Sequence, residues 1–126
     1  MKEEYGLIID PDPTLKNNLM AFGFECDPGW YSLIKECLER IDTQLRKEKA
    51  SSALLQVKEK FGGLRVYLSS SSKDVDRIVR EYEILASHVC EVCGEFYTTK
   101  LREKNRWFKT LCDKCAKDLG YELYSE

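Results

Sequence analysis

The apolar positions from residue 30 onward recur with a helical period. Trp30, Leu33, Ile34, Cys37, Leu38, Ile41 and Leu45 fall on one stripe, which predicts an amphipathic helix running to about Glu48. Asp27 precedes it as a cap, and Pro28 takes the first helical position, where its missing N–H costs nothing. The same device, Asp12 before Pro13, opens a shorter pattern in which Leu15, Leu19 and Phe22 share a face and Gly23 ends the helix. A third stripe, Val75, Ile78, Val79, Tyr82, Leu85, Ala86 and Val89, predicts a second long helix that runs almost into Cys90. The polar run Ser69 to Ser72 precedes it and can cap it.

Between the two long helices the pattern becomes β-like. Ala50-Ser51-Ser52 breaks the first helix, and the runs 54–61 and 64–69 flank Gly62-Gly63, a two-residue hairpin signal. With both glycines in the turn, Phe61 pairs with Leu64, Glu59 with Val66 and Val57 with Leu68 on one face. Lys60 pairs with Arg65, Lys58 with Tyr67 and Gln56 with Ser69 on the other. The first face is apolar except for Glu59, which needs a cation or a place at the sheet rim. The second, with Lys58, Lys60, Arg65 and Tyr67, is either a solvated sheet surface or an anion-binding patch. The short apolar run 5–10 is a strand or a docked arm; periodicity does not separate the two.

The last third carries the chemistry. Cys90-x-x-Cys93 and Cys112-x-x-Cys115 stand 18 residues apart, the spacing of a four-thiolate zinc site. Four thiolates close the coordination shell, so the expected cofactor is structural Zn(2+), not a catalytic ion with an open position. Gly94 suits the backbone reversal of a metal knuckle. Residues 96–99 and 107–111 are β-like runs around a charged middle, so they predict a hairpin whose tip carries Arg102, Lys104 and Arg106 beside Trp107. Such a tip either contacts an anionic partner or keeps the hairpin soluble, and one of Trp107 and Phe108 should pack inward. Residues 116–119 can form a short helix ending at Gly120. Knuckle, hairpin and helix together resemble a treble-clef or zinc-ribbon module. His88 is either a substitute ligand or a helix-end histidine. Cys26 and Cys37 lack a metal-spaced partner, and Cys37, inside a helical stripe, is expected to behave as a small buried hydrophobe.

Composition changes this picture in two ways. A hydrophobic content of 43% supports a packed core, and a formal net charge of -2 argues against a general nucleic-acid coat. The charge is nonetheless uneven. Residues 1–27 hold two lysines and six carboxylates, whereas residues 90–117 hold seven Lys/Arg and four carboxylates. No apolar run approaches ~18 residues and the start is acidic, so a cytoplasmic protein is expected, where six cysteines favour metal over disulfides.

The run from Gln56 to Tyr67, with its Lys58-Glu59-Lys60-Phe61-Gly62-Gly63-Leu64-Arg65 core, precedes Cys90-Glu91-Val92-Cys93-Gly94 and Trp107-Phe108-Lys109-Thr110-Leu111-Cys112. With Gly23 to Cys26 and Gly29-Trp30, these motifs resemble a group of small uncharacterised proteins of bacteria and their phages. That resemblance implies a bacterial or phage protein and transfers no catalytic residue.

The expected fold is α+β: two amphipathic helices packed on a β-hairpin, with the N-terminal run as a candidate third strand. Residues 1–89 form this body, and residues 90–126 form a zinc module rigidly attached to it. No catalytic constellation is visible, since the single His has no paired acids and nucleophile around it. The expected function is therefore a non-enzymatic binding protein for another protein, as an accessory, immunity or anti-defence factor. The alternative is nucleic-acid binding through Lys58, Lys60, Arg65 and Tyr67 together with Arg102, Lys104, Arg106 and Trp107.

Overall fold

The computed structural model describes residues 5–8 and 25–124. The helix expected over 13–22 lies outside them. Among the described residues the architecture is α+β, with three helices and two small sheets. The first described elements are strand β1 (Gly6–Ile8) and a 3-10 turn (Pro28–Trp30) that leads into α1 (Tyr31–Lys47). Strands β2 (Ser51–Lys60) and β3 (Gly63–Leu68) form the hairpin, and α2 (Lys73–Ala86) follows. Strands β4 (Lys100–Lys104) and β5 (Trp107–Leu111), helix α3 (Asp113–Leu119) and strand β6 (Glu122–Leu123) complete the chain. Among the described residues no helix is long and apolar enough to cross a membrane.

The first sheet has the order β1-β2-β3. β1 pairs in parallel with the start of β2, Gly6 opposite Ser51 and Ile8 opposite Ala53. Ser51 and Ser52 thus begin the strand instead of breaking the pattern. Ser52 is buried, and its hydroxyl is satisfied by donating to the carbonyl of Ser70 at 2.6 Å. The two long helices pack on this sheet. Trp30, Ile34, Cys37, Leu38, Ile41 and Leu45 meet Leu54, Val57, Leu64 and Val66 from the sheet, and Val75, Ile78, Tyr82 and Ala86 from α2. α1 ends with Lys49 in the left-handed region (φ 55°), and the Ala50 N–H closes the turn on the Leu45 carbonyl at 2.9 Å. Ser72 caps α2 as expected, accepting from the Val75 N–H at 3.2 Å. α2 stops at Ala86, three residues short of the expected end, and Leu85, within the helix and its expected apolar stripe, is exposed.

The hairpin turn differs from expectation. Its two turn residues are Phe61 (φ 52°) and Gly62 (φ 85°), so Lys60 faces Gly63, Glu59 faces Leu64, Lys58 faces Arg65 and Val57 faces Val66. Each partner moves by two residues, an even step, which leaves the two faces unchanged. Phe61, however, leaves the apolar face and becomes exposed. The reason is tertiary. Gly62 lies against β5, and a Cβ on it would come within 3.5 Å of the Lys109 nitrogen and 2.5 Å of Leu101 Cδ1. Glu59 finds its partner in the turn itself, accepting from the Gly62 N–H at 2.5 Å.

In the second sheet, of order β5-β4-β6, residues 96–99 are not a strand. The charged stretch expected as a tip is itself strand β4, and the turn consists of Asn105 (φ 51°) and Arg106 (φ 70°). Two residues in the left-handed region match the twist of the flanking strands, as in the other hairpin. α3 begins at Asp113, three residues earlier than expected, and ends at Gly120 (φ 79°). A second small core forms here from Cys90, Leu111, Cys112, Cys115 and Ala116.

The two cores are joined by specific backbone contacts. The Trp30 indole N–H donates to the Val89 carbonyl at 2.8 Å, and the Gly29 N–H donates to the Glu91 carbonyl at 2.6 Å. Asp27 occupies the cap position but makes no side-chain cap bond. Its carboxylate turns instead to Lys109, at 3.0 Å.

Candidate metal centre and the adjoining cleft

Cys90, Cys93, Cys112 and Cys115 converge, with all four Sγ atoms within 4.8 Å of one another. A tetrahedral ion with metal–sulfur bonds of about 2.3 Å sets its sulfurs about 3.8 Å apart, so the spacing fits. Two local devices aim the thiols. At the knuckle the Gly94 N–H donates to the Cys90 carbonyl at 2.9 Å, and Gly94 takes φ 86°. At the second pair, Cys112 caps α3, its sulfur accepting from the Cys115 N–H at 3.4 Å. Cys90, Cys112 and Cys115 are buried and Cys93 is exposed.

The electrostatics favour a cation. Burial opposes ionisation of Cys90, but backbone N–H groups of Cys93, Cys112 and Val92 outweigh it and bring the thiol down to about 7. Burial and the neighbouring thiols push Cys115 up. A metal-free cluster therefore resists holding four thiolates at once, and a divalent ion removes that obstacle. The remaining thiols lie elsewhere. Burial pushes Cys37 up to about 12, as expected of an inert core thiol. Cys26 is also raised to about 12, first by burial and then by Glu91 and Asp27. His88 is exposed and is not among the converging ligands.

Of the eight expected binding residues, two serve the fold. Arg102 is only 8% exposed: Nε donates to the Leu111 carbonyl at 3.1 Å, and Nη2 donates to the Thr98 carbonyl at 2.9 Å and to Asp113 at 2.7 Å. It ties β4 to the start of α3 and cannot act at the surface. Lys104 donates to the Leu119 carbonyl at 2.9 Å, satisfying the end of α3.

Lys60, Arg106 and Trp107 come together. With Glu59, Phe61, Asn105 and Phe108 they line a cleft of about 550 Å³ between the two hairpin turns. Phe61 is 72% exposed and Trp107 74%. Lys58, Arg65 and Tyr67 lie outside the cleft, on the sheet face that Lys60 shares. Lys58 and Arg65 stand directly opposite each other, and Lys58 Nζ lies 5.7 Å from the centre of the Tyr67 ring.

Three residues outside the expected metal and binding sets, Asp27, Glu91 and Lys109, position this site. Lys109 Nζ reaches Asp27 Oδ2 at 3.0 Å and Glu91 Oε1 at 3.4 Å, and Glu91 is only 1% exposed. Burial raises the Glu91 carboxyl, while the Asp27 N–H and Lys109 counter that. The only sequence signal was charge inside otherwise apolar runs beside the cysteines. The pairing itself spans 82 residues and has no local signature.

Comparison with protein-family models, with curated proteins and with solved structures finds no match to this chain.

Proposed function

We propose that this protein is a non-enzymatic binding module that holds a structural zinc ion and recognises another protein through the cleft between its two hairpin turns. Zinc is the ion best suited to four thiolates in a closed tetrahedral site, and its role is to hold the hairpin β4–β5 in place. The observation that carries the reading is the exposure of Phe61 and Trp107 on facing turns. Aromatic anchors beside Lys60 and Arg106 have the composition of an interface hot spot.

A second reading, single-stranded nucleic acid, draws on the same neighbours, since bases stack on aromatic rings while cations meet phosphates. Arg102 and Lys104 are engaged with the fold, however, which leaves four of the six cations this reading counts on, Lys58, Lys60, Arg65 and Arg106, and only the second and last of these line the cleft. A nucleic-acid track needs more.

A photo-crosslinking residue at Phe61 tests the choice in extract from the native host, with Leu55, also exposed, as the control position. One stoichiometric protein adduct at position 61 and none at 55 is the expected result. A nucleic-acid adduct, or adducts that do not depend on position, overturns the protein reading.

A further inference from the structure

We infer that the occupant of the cleft is an acidic segment of the partner, anchored by one aromatic or long aliphatic side chain. This rests on the protein-binding reading and adds the chemistry of what is bound. Five cations elsewhere are ion-paired, Arg40 with Glu81, Arg46 with Asp42, Arg77 with Asp74, Arg102 with Asp113, and Lys109 with Asp27 and Glu91, whereas surface residues such as Lys35, Lys73 and Arg80 are not. Among the described residues, Lys58, Lys60, Arg65 and Arg106 have no such carboxylate.

These four are not scattered. Lys60 and Arg106 line the cleft, and Lys58 and Arg65 continue the face from Lys60. Lys58 opposite Arg65 is a like-charge pair that disfavours the sheet, and an external carboxylate relieves it. Glu59 offsets one of the two cations that line the cleft, its carboxylate accepting from the Gly62 N–H, so the lining keeps a formal excess of one positive charge and Lys58 and Arg65 add to it. The uncompensated charge therefore selects an anion.

The walls select what accompanies the anion. Phe61 and Trp107 present apolar area that water leaves poorly solvated, and a volume of about 550 Å³ admits a large side chain with its flanking backbone. An acidic chain with one apolar anchor satisfies both demands.

Selection of short random peptides on the zinc-loaded full chain tests this, followed by titration of the selected peptides. Tryptophan emission reports on the cleft, because Trp30 is fully buried and Trp107 is open. The expected peptides carry Asp or Glu around one aromatic or aliphatic residue and shift that emission. Lys60→Glu with Arg106→Glu, or Phe61→Ala alone, should weaken them at least tenfold, while Arg77→Glu leaves them unchanged; thermal melts check that each variant is folded. Neutral or basic selected sequences, no selected peptide at all, or displacement of the peptides by oligothymidylate would each overturn the inference. A protein adduct at position 61 combined with any of those results leaves the binding reading standing and removes only the acidic occupant.

Discussion

The hydroxyl of Thr110 donates to the carbonyl of Gly62 at 2.6 Å, across 48 residues of sequence. That bond fastens the turn of the first hairpin to strand β5 beside the four cysteines. Thr110 is buried, so replacing it with Val keeps the shape and leaves the Gly62 carbonyl without its partner. Thr110→Val should cost about 1–3 kcal/mol in denaturant unfolding. It should also loosen the cleft, seen as altered Trp107 emission before global unfolding begins.

Gly29 has no room for a side chain. A Cβ there would lie 2.2 Å from the Cys90 carbonyl oxygen and 2.4 Å from that of Glu91, both backbone atoms that cannot swing aside. Gly29→Ala should therefore destabilise by about 1–3 kcal/mol or more. Metal-retention assays on the same variant should show a weaker site, because the knuckle must move away from the start of α1.

Two arginines four residues apart should behave oppositely. Arg102→Ala removes a buried guanidinium from two carbonyls and Asp113, and should cost about 3 kcal/mol. Lys is expected to rescue poorly because it lacks the planar fork. Arg106→Ala, in an exposed turn, should stay within about 0.5 kcal/mol of the parent. Chemical unfolding of both proteins decides whether this division between structure and surface holds.

Lys109→Met would leave Glu91 buried beside Asp27 with no cation between them. The expected loss at neutral pH is about 3 kcal/mol. The sign of the pH dependence follows from the Glu91 carboxyl, already raised by burial and raised further without Lys109. Its folded form then keeps a proton that the unfolded form releases near the ordinary carboxyl value of 4.5. Stability of this variant should thus fall as pH rises from about 4.5 through the raised folded value. The double variant Glu91→Gln with Lys109→Met should recover part of the loss and flatten the profile.

Metal analysis should find about one zinc ion per chain. Removing it with a chelator should collapse the amide resonances of residues 90–124 while those of α1 and α2 persist. Resonances of Phe61 and Gly62 should shift as well, since their turn loses its support. Unchanged spectra on complete zinc removal would contradict the structural role.

Much of this architecture is legible in short stretches of chain. A stripe of period 3.6 on α1 and α2, alternation on β2 and β3, and two Cys-x-x-Cys pairs each depend on neighbours a few residues away. Ser72 and Gly120 likewise act on adjacent backbone groups, so their roles as cap and stop can be read directly. The even step in the β2–β3 register explains why the two faces came out right although every expected pairing was displaced.

The tertiary structure decided what those elements do to one another. Nothing local separates Arg102 from Arg106. One finds Leu111, Thr98 and Asp113 within reach and is consumed by the fold, and the other stands at a turn and stays free for contact. Phe61 belongs to the core by alternation, yet the docking of Gly62 against β5 moves the turn by one residue and turns the ring outward beside Trp107. Asp27 and Lys109 meet because the metal knuckle is seated on the start of α1. Hydrogen bonds and ion pairs between distant residues leave no period in the sequence, because they depend on which surfaces meet after the elements have formed.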